Sequence, residues 1–117
     1  MKTILIVEDL DINIDLLVQL LEDDYSLLIA KDGQQGLDLT QQKQPDLVLM
    51  DMSLPVMDGY EATLLIRRQF PALPIIGLSA YAMQSEAEKA LVAGCSDYLT
   101  KPVDEDLLFS LLEKYLG

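Results

Sequence analysis

Histidine is absent from the chain, cysteine occurs once, and basic residues are scarce, with eight lysines and arginines against twenty aspartates and glutamates. Without histidine there is no imidazole base and no histidine zinc site. The lone Cys95 cannot form an internal disulfide and agrees with a reducing compartment. A net charge of -12 repels nucleic acid and anionic membranes over most of the surface, so this chain alone is not expected to bind either. No apolar run is long enough to span a bilayer, and MKTILIVED meets acid before a signal-peptide cleavage pattern can form. The expectation is a soluble, cytoplasmic protein. Its 117 residues suffice for one core and one domain, residues 1–117.

Four short apolar runs lack alternation: Thr3–Val7, Tyr25–Ala30, Leu47–Met50 and Ile75–Leu78. Such runs predict strands buried on both faces, as in a parallel sheet covered by helices. The second is less purely apolar and is placed nearer an edge, and Tyr98–Leu99 forms a short fifth strand. Helical spacing follows each strand. Ile12–Leu21 presents Leu16, Leu17, Leu20 and Leu21, with Asp11 or Asn13 as cap. Gly33–Gln42 presents Gly36, Leu37 and Thr40. Tyr60–Gln69, capped by Asp58, presents Ala62, Leu65 and Ile66. Met83–Ala93 presents Ala87, Ala90 and Leu91 and ends on Gly94, and Asp104–Leu116 presents Leu107, Leu108, Leu111, Leu112 and Tyr115. Alternating strands and helices with short links predict an α/β, three-layer, doubly wound five-stranded parallel sheet of flavodoxin-like type, with 2-1-3-4-5 the commonest small strand order.

In such a sheet the carboxyl ends of the strands share one edge, where ligands bind. Here they carry Glu8 and Asp9, Asp51, Ser79 and Lys101. Taken singly, an acid or serine at a strand end is usually a helix cap and a lysine a surface charge. Acid, acid, hydroxyl and lysine at four of five such positions are poorly explained by capping. Crowded carboxylates call for a cation, and oxygen ligands alone favour Mg²⁺, held by Asp9 and Asp51 with Glu8 acting through water. Lys101 is either a counter-ion or a contact for an anion beside the metal. Metal, lysine and accessible carboxylate suit phosphoryl transfer, with Asp51 as nucleophile. EDLD after the first strand is no glycine-rich phosphate cradle, so direct nucleotide binding is not expected.

LIVED, LVLMDMSLPVMDG, LSA and YLTKP, in that order over essentially the whole chain, resemble the receiver domains of two-component response regulators, of the single-domain chemotaxis-regulator-like kind. The resemblance implies that Asp51 is the phosphoacceptor and that Glu8 and Asp9 hold Mg²⁺ with the backbone carbonyl of Ser53. It further implies that Ser79 and Lys101 contact phosphoryl oxygens, that Tyr98 is an aromatic switch, and that the Lys101–Pro102 bond is cis. Glu8 and Ser79 stand where many relatives have aspartate and threonine, both familiar variants, and Ala80 leaves room for Ser79 and Tyr98 to move. Ser53 and Tyr81 occupy positions that in similar proteins modulate attack by water; neither offers an acid or amide, and a long-lived phospho form is expected.

The implied donor is a histidine kinase or a histidine phosphotransfer protein, and the implied output a downstream protein bound on the face of the fourth helix, fifth strand and fifth helix. Met1 just before the first strand and Gly117 just after the last helix favour a stand-alone form over a receiver cut from a larger protein, while VEDLDIN keeps a relay role in view. Two other classes share parts of the pattern. A flavin-binding doubly wound protein would need a hydroxyl- and glycine-rich first loop. A Mg²⁺-dependent aspartyl-phosphate hydrolase would need a cap and a second acid two residues after the nucleophile, where Ser53 stands.

Overall fold

The computed structural model describes residues 1–80 and 84–117. Its strands are β1 (Thr3–Val7), β2 (Ser26–Ala30), β3 (Leu47–Asp51), β4 (Ile75–Ser79) and β5 (Asp97–Thr100), and its helices α1 (Asp11–Leu21), α2 (Gly33–Lys43), α3 (Gly59–Gln69), α4 (Gln84–Ala93) and α5 (Glu105–Leu116). All pairings are parallel and the order is β2-β1-β3-β4-β5. The less apolar β2 is indeed an edge strand. Observed boundaries differ from the expected ones by at most one residue at either end, and the strands β3 and β4 take in the polar residues Asp51 and Ser79 at their ends. The expected helix start at Met83 lies outside the described residues.

Alternate side chains of each strand enter two separate cores, which is why the runs show no alternation. Leu5, Val7, Val48, Met50 and Ile75 pack with Leu37, Ala62, Ile66 and Ala90 of α2, α3 and α4. Ile4, Ile6, Leu47, Leu49, Ile76 and Leu78 pack with Leu17, Leu21, Leu108 and Leu112 of α1 and α5. Gly36, Leu37 and Thr40 of α2 are buried as expected. Three leucines expected inside are exposed instead: Leu16, Leu91 and Leu107. Each lies beside a truly buried position (Leu17, Ala90, Leu108) and is turned about a hundred degrees from it by the helical repeat; hydrophobicity alone does not say which of two adjacent apolar residues faces in.

Asp58 accepts the Glu61 N–H at 2.9 Å and Asp104 that of Leu107 at 3.1 Å, so both are true caps. Neither Asp11 nor Asn13 caps α1. The N-cap is Leu10, which has no side-chain acceptor, and Asp11 already lies in the first turn. At the end of α4, Gly94 takes φ +121°; its N–H reaches Leu91 O at 3.1 Å and the Cys95 N–H reaches Ala90 O at 3.0 Å, a Schellman closure suited to glycine.

Candidate functional site

The strand order reverses between β1 and β3, since β1 sends the chain outward to β2 and β3 sends it the other way to β4 and β5. The loops leaving such a pair part and open a crevice. Val7 is in register with Met50 and Asp51 with Leu78, while Ser79 faces Thr100. Glu8, Asp51, Ser79 and Lys101 therefore reach one edge together. Glu8 and Asp51 are 0% and 3% exposed and Ser79 2%, while Asp9 is half-buried and the Ser53 side is exposed.

Lys101 Nζ donates to Glu8 Oε2 at 2.8 Å and lies 3.3 Å from Asp51 Oδ2. Glu8 Oε1 accepts the Leu10 N–H at 3.3 Å and, more distantly, the Asn13 amide at 3.5 Å. Asp51 Oδ1 accepts the Ser53 N–H at 3.0 Å. Gly59, the first residue of α3, sits so close to the Asp51 carbonyl and Met52 Cα that a Cβ there would collide with backbone. The end of β3 and the start of α3 are thereby packed without a gap. The Lys101–Pro102 bond is cis, matching the expectation.

Burial pushes the Asp51 carboxyl up to about 6; the Ser53 amide opposes this, the Glu8 charge adds to it, and Lys101 draws it back. Burial pulls the Lys101 ammonium down, but the Glu8 hydrogen bond and the charges of Asp51 and Glu8 outweigh it and leave it above its ordinary value. One carboxylate oxygen from each of Glu8, Asp9 and Asp51 lies within 4.8 Å of the others. Three acids beside one ammonium leave negative charge uncompensated, and all-oxygen donors at this spacing fit a hard divalent cation.

The structure thus gathers Glu8, Asp9, Asp51, Ser79 and Lys101 at one edge. Tyr98, on β5, is half-buried against the α2–α3–α4 core. Tyr81 lies outside the described residues. Sequence reasoning missed Asn13 and the small cleft of about 20 Å³ formed by Asn13, Leu16, Leu17, Leu78 and Val103 beside Glu8 and Lys101. The signal available for it was the pair of adjacent leucines at Leu16 and Leu17, one too many for a single buried stripe.

Residues 4–113 match the family profile described as response regulator receiver domain. The chain is 33% identical, over 119 aligned residues, to the polar-differentiation response regulator DivK of Brucella ovis, covering 99% of this chain and 97% of that one. Among solved structures it is similar to the receiver domain of the sensor histidine kinase PA1611 from Pseudomonas aeruginosa, which has a magnesium ion coordinated in its active-site cleft (38% identity, TM-score 0.92, 99% of this chain and 98% of that one). It is also similar to the receiver domain of the Saccharomyces cerevisiae response regulator Ssk1, crystallised with the histidine phosphotransfer protein Ypd1 (33% identity, TM-score 0.91, 97% and 88%).

Proposed function

The chain belongs to the response regulator receiver domains of two-component signalling, and from that premise we propose that Asp51 is its phosphoacceptor. The observation that carries this is the pairing of Lys101 with both Glu8 and Asp51 at the carboxyl edge of the sheet. Asp51 attacks the phosphorus of a phosphohistidine on a histidine kinase or phosphotransfer protein; an O–P bond forms, the P–N bond breaks, and the imidazole leaves with the bonding pair and takes up a proton. Lys101, already 3.3 Å from Asp51 Oδ2, offers its ammonium to the equatorial oxygens. The Ser53 N–H holds Asp51 Oδ1, which leaves Oδ2 as the attacking oxygen.

Asp9, Asp51 and the Ser53 carbonyl would hold Mg²⁺, with Glu8 acting through water. When bound, the ion supplies charge neutralisation at the phosphoryl oxygens. Glu8, buried and tied to Lys101, keeps that ammonium aimed at the site. Ser79 then swings to a phosphoryl oxygen, Tyr98 turns inward, and the face of α4, β5 and α5 shifts toward a target-binding form. The protein promotes only its own phosphorylation and dephosphorylation, in the cytoplasm. Ser53 offers no acid to activate water, which speaks against a phosphate-ester hydrolase and for a phospho form that outlasts removal of donor by far more than seconds; measuring its decay by mass spectrometry checks this.

The decisive experiment is incubation with Mg²⁺ and acetyl phosphate. One phosphoryl mass increment is expected on the wild type and none on Asp51→Asn. An unmodified wild type, or an increment that survives in the variant, would overturn the assignment.

A further inference from the structure

α4 is the most weakly buried helix of the fold. Of Gln84–Ala93 only Ala90 is buried, whereas α1 buries Ile14, Leu17 and Leu21, and α3 buries Gly59, Ala62, Thr63 and Ile66. An element with so little apolar anchorage opens at low free energy unless something else fastens it. Among the described residues two polar fastenings do so, and they differ in kind.

At the C-terminal end, Arg67 of α3 closes around the α4–β5 turn. Its Nε and Nη2 donate to Gly94 O at 3.0 and 2.8 Å. Nη1 donates to the carbonyls of Phe70, Pro71 and Leu73 at 3.0, 3.1 and 2.6 Å, and Nη2 reaches Ser96 Oγ at 3.3 Å. Ser96 Oγ in turn accepts the Ile75 N–H at 3.1 Å. The guanidinium thus joins the end of α3, the loop into β4, the end of α4 and the start of β5. Releasing Gly94 would leave its carbonyl without an acceptor role and take two N–H donors of a half-buried cation from their partner at once.

Among the described residues, the first turns of α4 are held by much less. Tyr60 donates to Glu86 Oε2 at 2.7 Å, and Lys89 Nζ stands 4.2 Å from the centroid of the Tyr60 ring. Burial and then the Glu86 contact push the Tyr60 phenol up, and Tyr98 adds to the shift, so the two tyrosines are neighbours in one core. Tyr60 follows Gly59, whose backbone abuts the Asp51 carbonyl. The weaker fastening therefore stands between the phosphoacceptor strand, the proposed aromatic switch and α4.

We propose that α4 is a hinged helix, pivoted at Gly94 by the Arg67 clamp and held at its first turns by a releasable Tyr60–Glu86 latch. Phosphorylation frees the N-terminal half while the C-terminal end stays in place. This signalling role rests on Asp51 as phosphoacceptor; the unequal fastening does not. A rigid pivot converts a small shift near Tyr98 into a larger displacement at the far end of the helix, where a partner reads it.

Amide exchange followed by NMR on the full chain tests this, with wild type, Tyr60→Phe, Glu86→Gln and the double variant, each with and without Mg²⁺ and acetyl phosphate. Tyr60→Phe keeps the ring over Lys89 and removes only the hydroxyl. It should speed exchange at Glu88 and Lys89 about 5-fold in the unphosphorylated protein, leaving Val92, Ala93 and the β3 amides unchanged. The double variant should add little to either single one. Phosphorylating the wild type should speed the same two amides and spare the same others. Unchanged exchange in both single variants, or equal acceleration along all of α4, overturns the hinge. A wild type that takes no phosphoryl group overturns the functional reading and the signalling role with it, while the unphosphorylated variants still judge pivot and latch on their own.

Discussion

Burial leaves Asp51 ionised only at a cost, and the cost has a direction in pH. Because the folded carboxyl sits near 6 and the unfolded one near its ordinary 3.8, the native state holds this proton more tightly. The stability it contributes is complete below about pH 4 and lost as pH rises through about 6. Asp51→Asn, which carries no such charge, is therefore expected to be more stable than wild type at pH 7 in EDTA, by on the order of 2 kcal/mol. The gap should close toward pH 4, as urea melts at the two pH values would measure. At this scale the acids, the hydroxyl and the lysine were legible, because each ends a strand whose apolar run announces it. Asn13, Tyr60 and Arg67 were not. A polar residue on a helix reads as solvent-facing, and nothing local shows that Arg67 meets Gly94 and Ser96, or Tyr60 meets Glu86.

Single elements differ in how completely their ends are satisfied. α2, α3 and α5 begin on Asp32, Asp58 and Asp104, each accepting a backbone N–H of the first turn, whereas α1 begins on Leu10, exposed and extended (φ -94°, ψ 122°) with no side-chain acceptor. Leu10→Ser supplies the missing acceptor in a compatible backbone and is expected to stabilise the protein by about 0.5–1 kcal/mol, while Asp104→Ala should cost about 1 kcal/mol. Thermal melts of the two variants check both signs. An acidic residue near a helix start suggested the cap of α3 correctly and misled for α1, because Asp11 begins one residue too late to cap, while Asp104, expected as the first residue of α5, is instead its cap. Likewise the stripes of α2 and α3 were readable, while adjacent apolar residues in α1, α4 and α5 left the inward face ambiguous until packing chose Leu17, Ala90 and Leu108.

Across the whole molecule, a charge of -12 makes the compact state self-repelling, and among the described residues Glu8, Asp9 and Asp51 bring three carboxylates together at one point. Mg²⁺ at millimolar concentration is expected to raise the melting temperature well beyond NaCl of equal ionic strength, since screening acts everywhere but binding acts only on the folded arrangement. Asp9→Asn should erase most of the difference between the two salts, and an equal response to both would argue against convergent binding. The sequence alone determined the inventory of strands and helices and the chemistry gathered at the strand ends. A strand buried on both faces has to be written as an unbroken apolar run, and a parallel sheet has to place its carboxyl ends along one edge. Only the tertiary structure decided that Lys101 spans Glu8 and Asp51, that Arg67 meets Gly94 and Tyr60 meets Glu86, and which leucines stay outside. Those outcomes depend on distances of a few ångströms between residues far apart in the chain, set by strand register and helix rotation, neither of which local patterning specifies.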